Sequence, residues 1–370
     1  MRHARVLFFL LALAVANLHA QTLHNNWIDY SKTYYKFKVG TFYYYGAGSI
    51  IKDGPVRISQ SALAAAGLGA VPAEQLQLWH NGQEVQIYTS APTGLLGTND
   101  YIEFWGEIPD GTLDGELYAS QSYQVSKYWS LASDSSAYFF TVNAASANKR
   151  IVQADNNVAG ATIQPDKNFR YTIESHFRDL FNGGRGSTVS ETTGNYTFYS
   201  SQYASGEGFA SRYFGPDNPQ LPVGYSSSLY ADTSAGGKIT ARVSVAGAAL
   251  NPRNIQLVVN DSTISQFPVN YYNTAKITVN NINISLVKND GLSGFLQNLS
   301  SSPGDAACAF DWAFDYPRTF DFLGVPVFEF YLAASDTGHL IKVTDFQSNG
   351  VPPVLYDLTN GMRYIAQVSG

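Results

Sequence analysis

One cysteine, Cys308, stands among 370 residues, so no disulfide can close within the chain. An exported chain without disulfides must draw its stability from buried cores, metals, partners or neighbouring domains. Charge is scarce as well, at 14% of residues, and mildly negative. No basic stripe is present, which sets nucleic acid aside as a partner. Past the first twenty residues no apolar run is long enough to cross a bilayer as a helix. Strand-like segments lack the even spacing of a transmembrane barrel, and no solenoid or propeller period is visible.

The first twenty residues read as a secretory signal peptide. Arg2 and Arg5 precede the apolar run VLFFLLALAVA, and Leu18-His19-Ala20 places a small residue before a cut at Gln21. The apolar run is short for a membrane span, and no cysteine beside the cut offers a lipid attachment point. Without this leader the chain carries 21 basic and 29 acidic residues, a net charge near −8.

What is abundant is the material of sheets and turns: Tyr, Phe, Thr and Val beside Gly, Asn and Ser. In WIDYSKTYYKFKV, residues 27–39, Tyr35, Phe37 and Val39 fall on one side of an extended chain and Lys36 and Lys38 on the other. Further strands are expected at Tyr34–Val39, Val56–Ile58, Gln75–Trp79, Glu84–Thr89, Tyr101–Trp105 and Ala137–Val142. Asn81-Gly82 between two of them signals a type I′ hairpin turn. SQSALAAAG is the best helix, capped by Ser59 or Ser61 and ended at Gly67. KITARVSVAGA, RNIQLVVNDSTI, AKITVNNINISLV, FDWAFDYPRTF and VFEFYLA read as strands of a second unit. Lys238, Arg242 and Ser244 alternate with Ile239, Val243 and Val245, as on a half-buried antiparallel strand.

The expected fold is mostly β, with two β-sandwich or jelly-roll-like domains and one short helix in the first. The expected divisions are a signal peptide at 1–20, a β domain at 21–155, a linker at 156–165, a second β-sandwich at 166–345, and a terminal strand and linker at 346–370.

Chemistry is thin. Cys308 in AACAFDWAF needs a histidine to yield a thiolate, and its apolar setting reads as a buried structural thiol. Ser335, Asp336 and His339 read as a turn rather than a triad. DGTLDG resembles the start of a calcium loop through Asp110, Thr112 and Asp114, but Gln121 stands where a closing Glu is needed. An Asp-Gly turn is the simpler reading. No other metal or cofactor is indicated. Trp79 and Trp105 read as core residues. Tyr43, Tyr44 and Tyr45, within GTFYYYGAGSII, read as a hairpin tip or as an exposed contact surface for sugar or protein.

Several segments occur in an order that resembles one family: WIDYSKTYYKFKV, KDGPVRIS, SALAAAGL, LQLWHNGQEVQIY, NDYIEFWGEIPDG, KYWSLASDSSAYFFTVN, then DYPRTFDF, FEF and PPVLYDLTNGMRYIA. The series is similar to the region preceding the catalytic domain in gingipain-type cysteine peptidases of Bacteroidetes, the PorU-like proteins of type IX secretion. It covers almost the whole chain after the leader and is vague from about 180 to 235. GTFYYYGAGSII departs from the family pattern as an insertion. The family's catalytic His and Cys motifs have no counterpart, so no catalytic residue carries over.

The resemblance implies a noncatalytic N-terminal scaffold portion of such a peptidase, with the peptidase domain expected after YDLTNGMRYIAQVSG. It implies export to the cell surface, the outer membrane or the medium, and a downstream peptidase domain or outer-membrane secretion components as partners. A free-standing β-sandwich binding module, for carbohydrate, is the alternative.

Overall fold

The computed structural model describes residues 25–368 apart from 41, 44–49, 52, 146, 157, 159–160, 185–200 and 235. Period-two alternation dominates, and the chain is mostly β with antiparallel sheets and one α-helix among the described residues.

The first sandwich faces a four-stranded sheet against a three-stranded one. The former runs Tyr35–Gly40, Ser135–Val142, Leu76–His80, Gln83–Val85 in space; the latter runs Gly54–Ser59, Tyr101–Gly106, Tyr88–Thr89. Leu76, Leu78, Ile102, Phe104, Tyr138 and Phe140 fill the space between them. The aromatic face of the opening strand has a simple role here. Tyr35 and Phe37 pack on this core, Val39 is buried in it, and Phe37 stacks on Phe140 at 5.3 Å. Asn81 and Gly82 take φ of 45° and 75°, the left-handed pair that the hairpin requires. The helix covers Gln60–Ala65; Ser59 Oγ accepts from the Ala62 N–H, and Gly67 ends it at φ 86°.

Trp79 and Trp105 correct the core reading. Both are half-buried, because alternation sends Leu78 and Phe104 inward and turns the tryptophans to the outer faces. Trp79 lies under Trp27, ring centroids 5.6 Å apart.

The second sandwich packs the sheet Phe169–His176, Ala307–Arg318, Lys238–Gly247, Thr274–Asn283 against Gln220–Ser226, Leu292–Asn298, Asn254–Val259, Ser262–Pro268. Val243, Val245, Leu257, Leu296, Phe314 and Tyr316 lie in its core. Gly224 sits at a register shift, and a Cβ there would come within 2.1 Å of the Trp312 ring. Only glycine lets that indole cross.

Two strand readings are corrected. RNIQLVVNDSTI is a hairpin, turning at Asn260 and Asp261 with φ of 44° and 64°, values those side chains tolerate well. VFEFYLA forms no strand beyond one bridge at Tyr331. Its Phe328 and Phe330 pack instead on Phe169, Phe320 and Phe322, with Phe322 and Phe328 stacked at 4.1 Å. An aromatic run can thus be extended in sequence pattern yet anchored by ring packing rather than by a ladder.

A three-stranded sheet unites segments some two hundred positions apart, such as Val152 and Met362. Val152–Gln153 lies parallel to Met362–Ile365, which pairs antiparallel with Val354–Asp357. No helix among the described residues is long and apolar enough to cross a membrane.

Candidate functional site

The first polar cluster spans the seam between the sandwiches. Cross-strand register places Lys276, Ser244, Asp311 and His176 in one row across four strands. The segment 107–131 crosses over this row. Tyr128 stacks on the His176 ring at 3.5 Å with the planes 6° apart. Trp129 Nε1 donates to His176 O at 3.2 Å, and Lys276 Nζ donates to Gln124 O at 3.5 Å.

A serine, an acid and a histidine in a row invite a hydrolase reading, which the spacing refuses. Ser244 and His176 are two strands apart, about 10 Å at sheet spacing, and the Ser244 hydroxyl bonds Asp311 instead. His176 has Glu174 Oε1 at 3.3 Å. Strand alternation would have put Ser244 in water; the covering segment buries it.

The seam also gathers carboxyls shifted upward. Burial pushes Asp311 up, against the opposing pull of the Ser244 hydrogen bond, His176 and Lys276. Glu107 is pushed up by burial and then by Asp53. Glu329 is pushed up by burial and by Asp53 and Glu174, although the Tyr331 hydrogen bond opposes this. A raised folded-state value means that the folded seam holds protons the unfolded chain releases. Its stabilisation is complete below about pH 4 and is lost as pH rises through the folded values. Protection of residues 123–131 in hydrogen exchange, corrected for intrinsic rates, should therefore fall as pH rises above about 4. Asp311→Asn should flatten part of that profile; an unchanged profile would show that Asp311 is not responsible.

The second cluster joins the terminal hairpin to the first sandwich. Glu103, only 6% exposed, lies on the strand Tyr101–Gly106. Its Oε1 accepts from Arg57 Nε at 2.8 Å and Nη2 at 2.5 Å. Its Oε2 accepts from the Tyr356 hydroxyl and lies 3.4 Å from Arg363 Nε. Arg363 Nη1 donates to Gln153 Oε1, and its guanidinium lies 4.4 Å from the Tyr88 ring centre. Burial, then the Glu103 hydrogen bond, pushes the Tyr356 hydroxyl up, which keeps it a donor.

The residues singled out from sequence do not converge. Cys308 is fully buried among Val125, Ala210, Ala246 and Phe310, and burial pushes its thiol up to about 12. His339 points one ring nitrogen at Asp166 Oδ2 and the other at Ala333 O, each at 2.9 Å. Ser335 bonds within its own turn, so the SDTGH triad does not form.

In DGTLDG, Asp110 accepts from the Thr112 N–H and hydroxyl, Asp114 Oδ2 accepts from the Leu131 N–H, and the Gln124 amide donates to Gly111 O. The carboxylates serve separate partners and a donor occupies the loop, so these residues do not fit a calcium cage. No group of three His, Cys, Asp or Glu side chains able to hold a metal occurs among the described residues. Tyr43 belongs to a two-residue strand, Phe42–Tyr43, paired with Ile50–Ile51; Tyr44 and Tyr45 lie outside the described residues.

No family model and no curated protein matches the chain. Among solved structures it is similar to dimeric latent PorU from Porphyromonas gingivalis, at 13% identity and a TM-score of 0.43 over 78% of this chain. The chain spans 24% of that PorU chain. It is also similar to a carbohydrate-binding module, CBM36, solved with calcium and xylotriose, at 12% identity and a TM-score of 0.24, covering 38% of this chain and 98% of the module. A CBM36-1 domain of a xylanase from the Trinervitermes trinervoides hindgut metagenome gives 13% identity and 0.23, covering 40% and 95%. Scores of this size carry no functional argument.

Proposed function

We propose that this chain is the noncatalytic N-terminal scaffold of an exported, gingipain-type, PorU-like peptidase, and that it positions a peptidase domain lying outside it. One observation supports this reading most. Three segments that carry the family resemblance meet at a single buried carboxylate. KDGPVRIS supplies Arg57, NDYIEFWGEIPDG supplies Glu103, and YDLTNGMRYIA supplies Tyr356 and Arg363. The resemblance thus falls on residues that fasten the terminal hairpin to the first sandwich, as a support for a following domain requires. The buried, upshifted Cys308 agrees with a chain that lacks a nucleophile of its own. The binding-module alternative rests on Tyr43–Tyr45, to which the geometry adds nothing.

Two measurements test the proposal. Purified residues 21–370 should show no thiol-dependent cleavage of an unstructured substrate, and cleavage abolished by Cys308→Ala would overturn it. An open reading frame continuing into a peptidase domain would support it, and an immediate stop codon would count against it. In the native chain, Cys308 should resist alkylation at neutral pH, since burial keeps the thiolate scarce. In denaturant it should take up one equivalent of reagent.

A further inference from the structure

Four Asn-Gly pairs occur in the chain, at 81–82, 182–183, 349–350 and 360–361. A glycine leaves its backbone nitrogen the least hindered, because it carries no side chain. That nitrogen can attack the preceding asparagine side chain and close a five-membered ring. The fold restrains three of the pairs and leaves one accessible.

Asn182 is 3% exposed. Its Nδ2 donates to Gly206 O at 2.6 Å, and its Oδ1 accepts from the Tyr213 hydroxyl at 3.1 Å. Asn360 Nδ2 donates to Asp357 Oδ2 at 2.7 Å, and the carbonyl of the buried Gly361 accepts from the Val152 N–H at 2.8 Å. Asn81 is exposed, but the ladder pairs His80–Gln83 and Trp79–Glu84 hold its hairpin at the base. Asn349 differs. Both it and Gly350 are exposed, and they lie between strands that end at Phe346 and resume at Val354. Their turn is closed by the Val351 N–H donating to Ser348 O at 3.0 Å, and Val351 is itself 66% exposed. Gln347 Nε2 donates to Asn349 Oδ1 at 3.3 Å, which makes Cγ more electrophilic.

We propose that Asn349-Gly350 is a site of spontaneous deamidation, converting to aspartate and isoaspartate ahead of the other three pairs. Gly350 N attacks Asn349 Cγ; a new N–C bond forms and the Cγ–Nδ2 bond breaks. The Gly350 amide proton departs with the Nδ2 amine as ammonia. One water then opens the cyclic imide at either carbonyl, giving its hydroxyl to carbon and its proton to nitrogen. Nothing is oxidised or reduced. The ring holds the asparagine ψ outside the left-handed region, whereas Asn349 sits there in the folded turn, at φ 51°. The turn must open first, so the cost of local opening sets the rate. A turn between loop segments opens more readily than the tip of a paired hairpin.

The test is incubation of the native protein at mildly alkaline pH, followed by peptide mass spectrometry and enzymatic methylation of isoaspartate. Asn349 should convert at least about tenfold faster than each of the other three, ~1.4 kcal/mol of barrier. In denaturant the four rates should draw together. Native conversion of Asn81, Asn182 or Asn360 as fast as that of Asn349 overturns the proposal. So does an Asn349 that reacts only in denaturant.

Discussion

Arg253→Ala should be the most damaging single substitution in the second sandwich, lowering its stability by about 3–5 kcal/mol, the range for breaking a buried ion pair. Both Arg253 and Asp305 side chains are fully buried. Arg253 Nε donates to both Asp305 oxygens at 2.9 and 3.0 Å, and Nη2 donates to Oδ1 at 2.7 Å. The remaining guanidinium protons reach Val269 O, Tyr271 O and Ala249 O between 2.8 and 3.0 Å. Asn298 supplies another donor to Asp305. One side chain therefore staples three loops.

Alanine would leave an uncompensated carboxylate and remove the donor from the buried Val269 carbonyl and from the part-buried Tyr271 and Ala249 carbonyls. Lysine should recover little, because a point charge cannot reproduce the planar fork. Denaturant unfolding, followed by hydrogen-exchange protection of the strand Ala307–Arg318, would measure both losses. Arg253→Met combined with Asp305→Leu should fall much less than either single variant, since removing both charges removes the penalty as well as the pair. The pair also sets a pH limit. Burial would push Asp305 up, but the hydrogen bonds from Arg253 and Asn298 hold its carboxyl below the ordinary range. A lowered folded value contributes stability above the unfolded value and loses it as pH falls through the folded one. The second sandwich should therefore weaken below about pH 4, opposite in sign to the carboxyls of the seam. A Tm that rose steadily into strong acid would contradict this assignment.

Local pattern made the sheets legible. Alternation in TYYKFKV, the Asn81-Gly82 pair and the Ser59 cap each depend on neighbours within a few residues, and each forms as read. What could not be read depends on partners far along the chain. Arg253 looks like the opening residue of the strand RNIQLVVNDSTI until Asp305 arrives 52 positions later. Ser244 looks solvent-facing until segment 107–131 covers its strand. VFEFYLA has strand composition, yet its phenylalanines are claimed by Phe169 and Phe322. The candidate sites fall in this second class, because both lie where one part of the fold lands on another. Glu103 is the plainest case. In YIEFW it shares the outer face with Tyr101 and Trp105, where a charge needs only water, and nothing nearby announces that it is buried.

The hairpin that buries Glu103 should come loose when the carboxylate is removed. Glu103→Leu is expected to abolish protection of residues 354–365 in hydrogen exchange while the strand Tyr35–Gly40 keeps its own. The reasoning is one of compensation. Arg363 is 4% exposed and lies beside one carboxylate, so its loss strands a guanidinium and the Tyr356 hydroxyl together. The cost, about 3–5 kcal/mol for an orphaned buried charge, exceeds what the four residues Met362–Ile365 can recover from their ladder. Arg57 would suffer less, since its side chain is 59% exposed and water replaces the lost acceptor. Tyr356→Phe removes one donor but no charge and should cost about 1–2 kcal/mol. In a double-mutant cycle the Glu103 and Arg363 substitutions should couple strongly, whereas Glu103 and Arg57 should couple weakly. Equal couplings would mean that the hairpin is held by its backbone ladder rather than by the carboxylate.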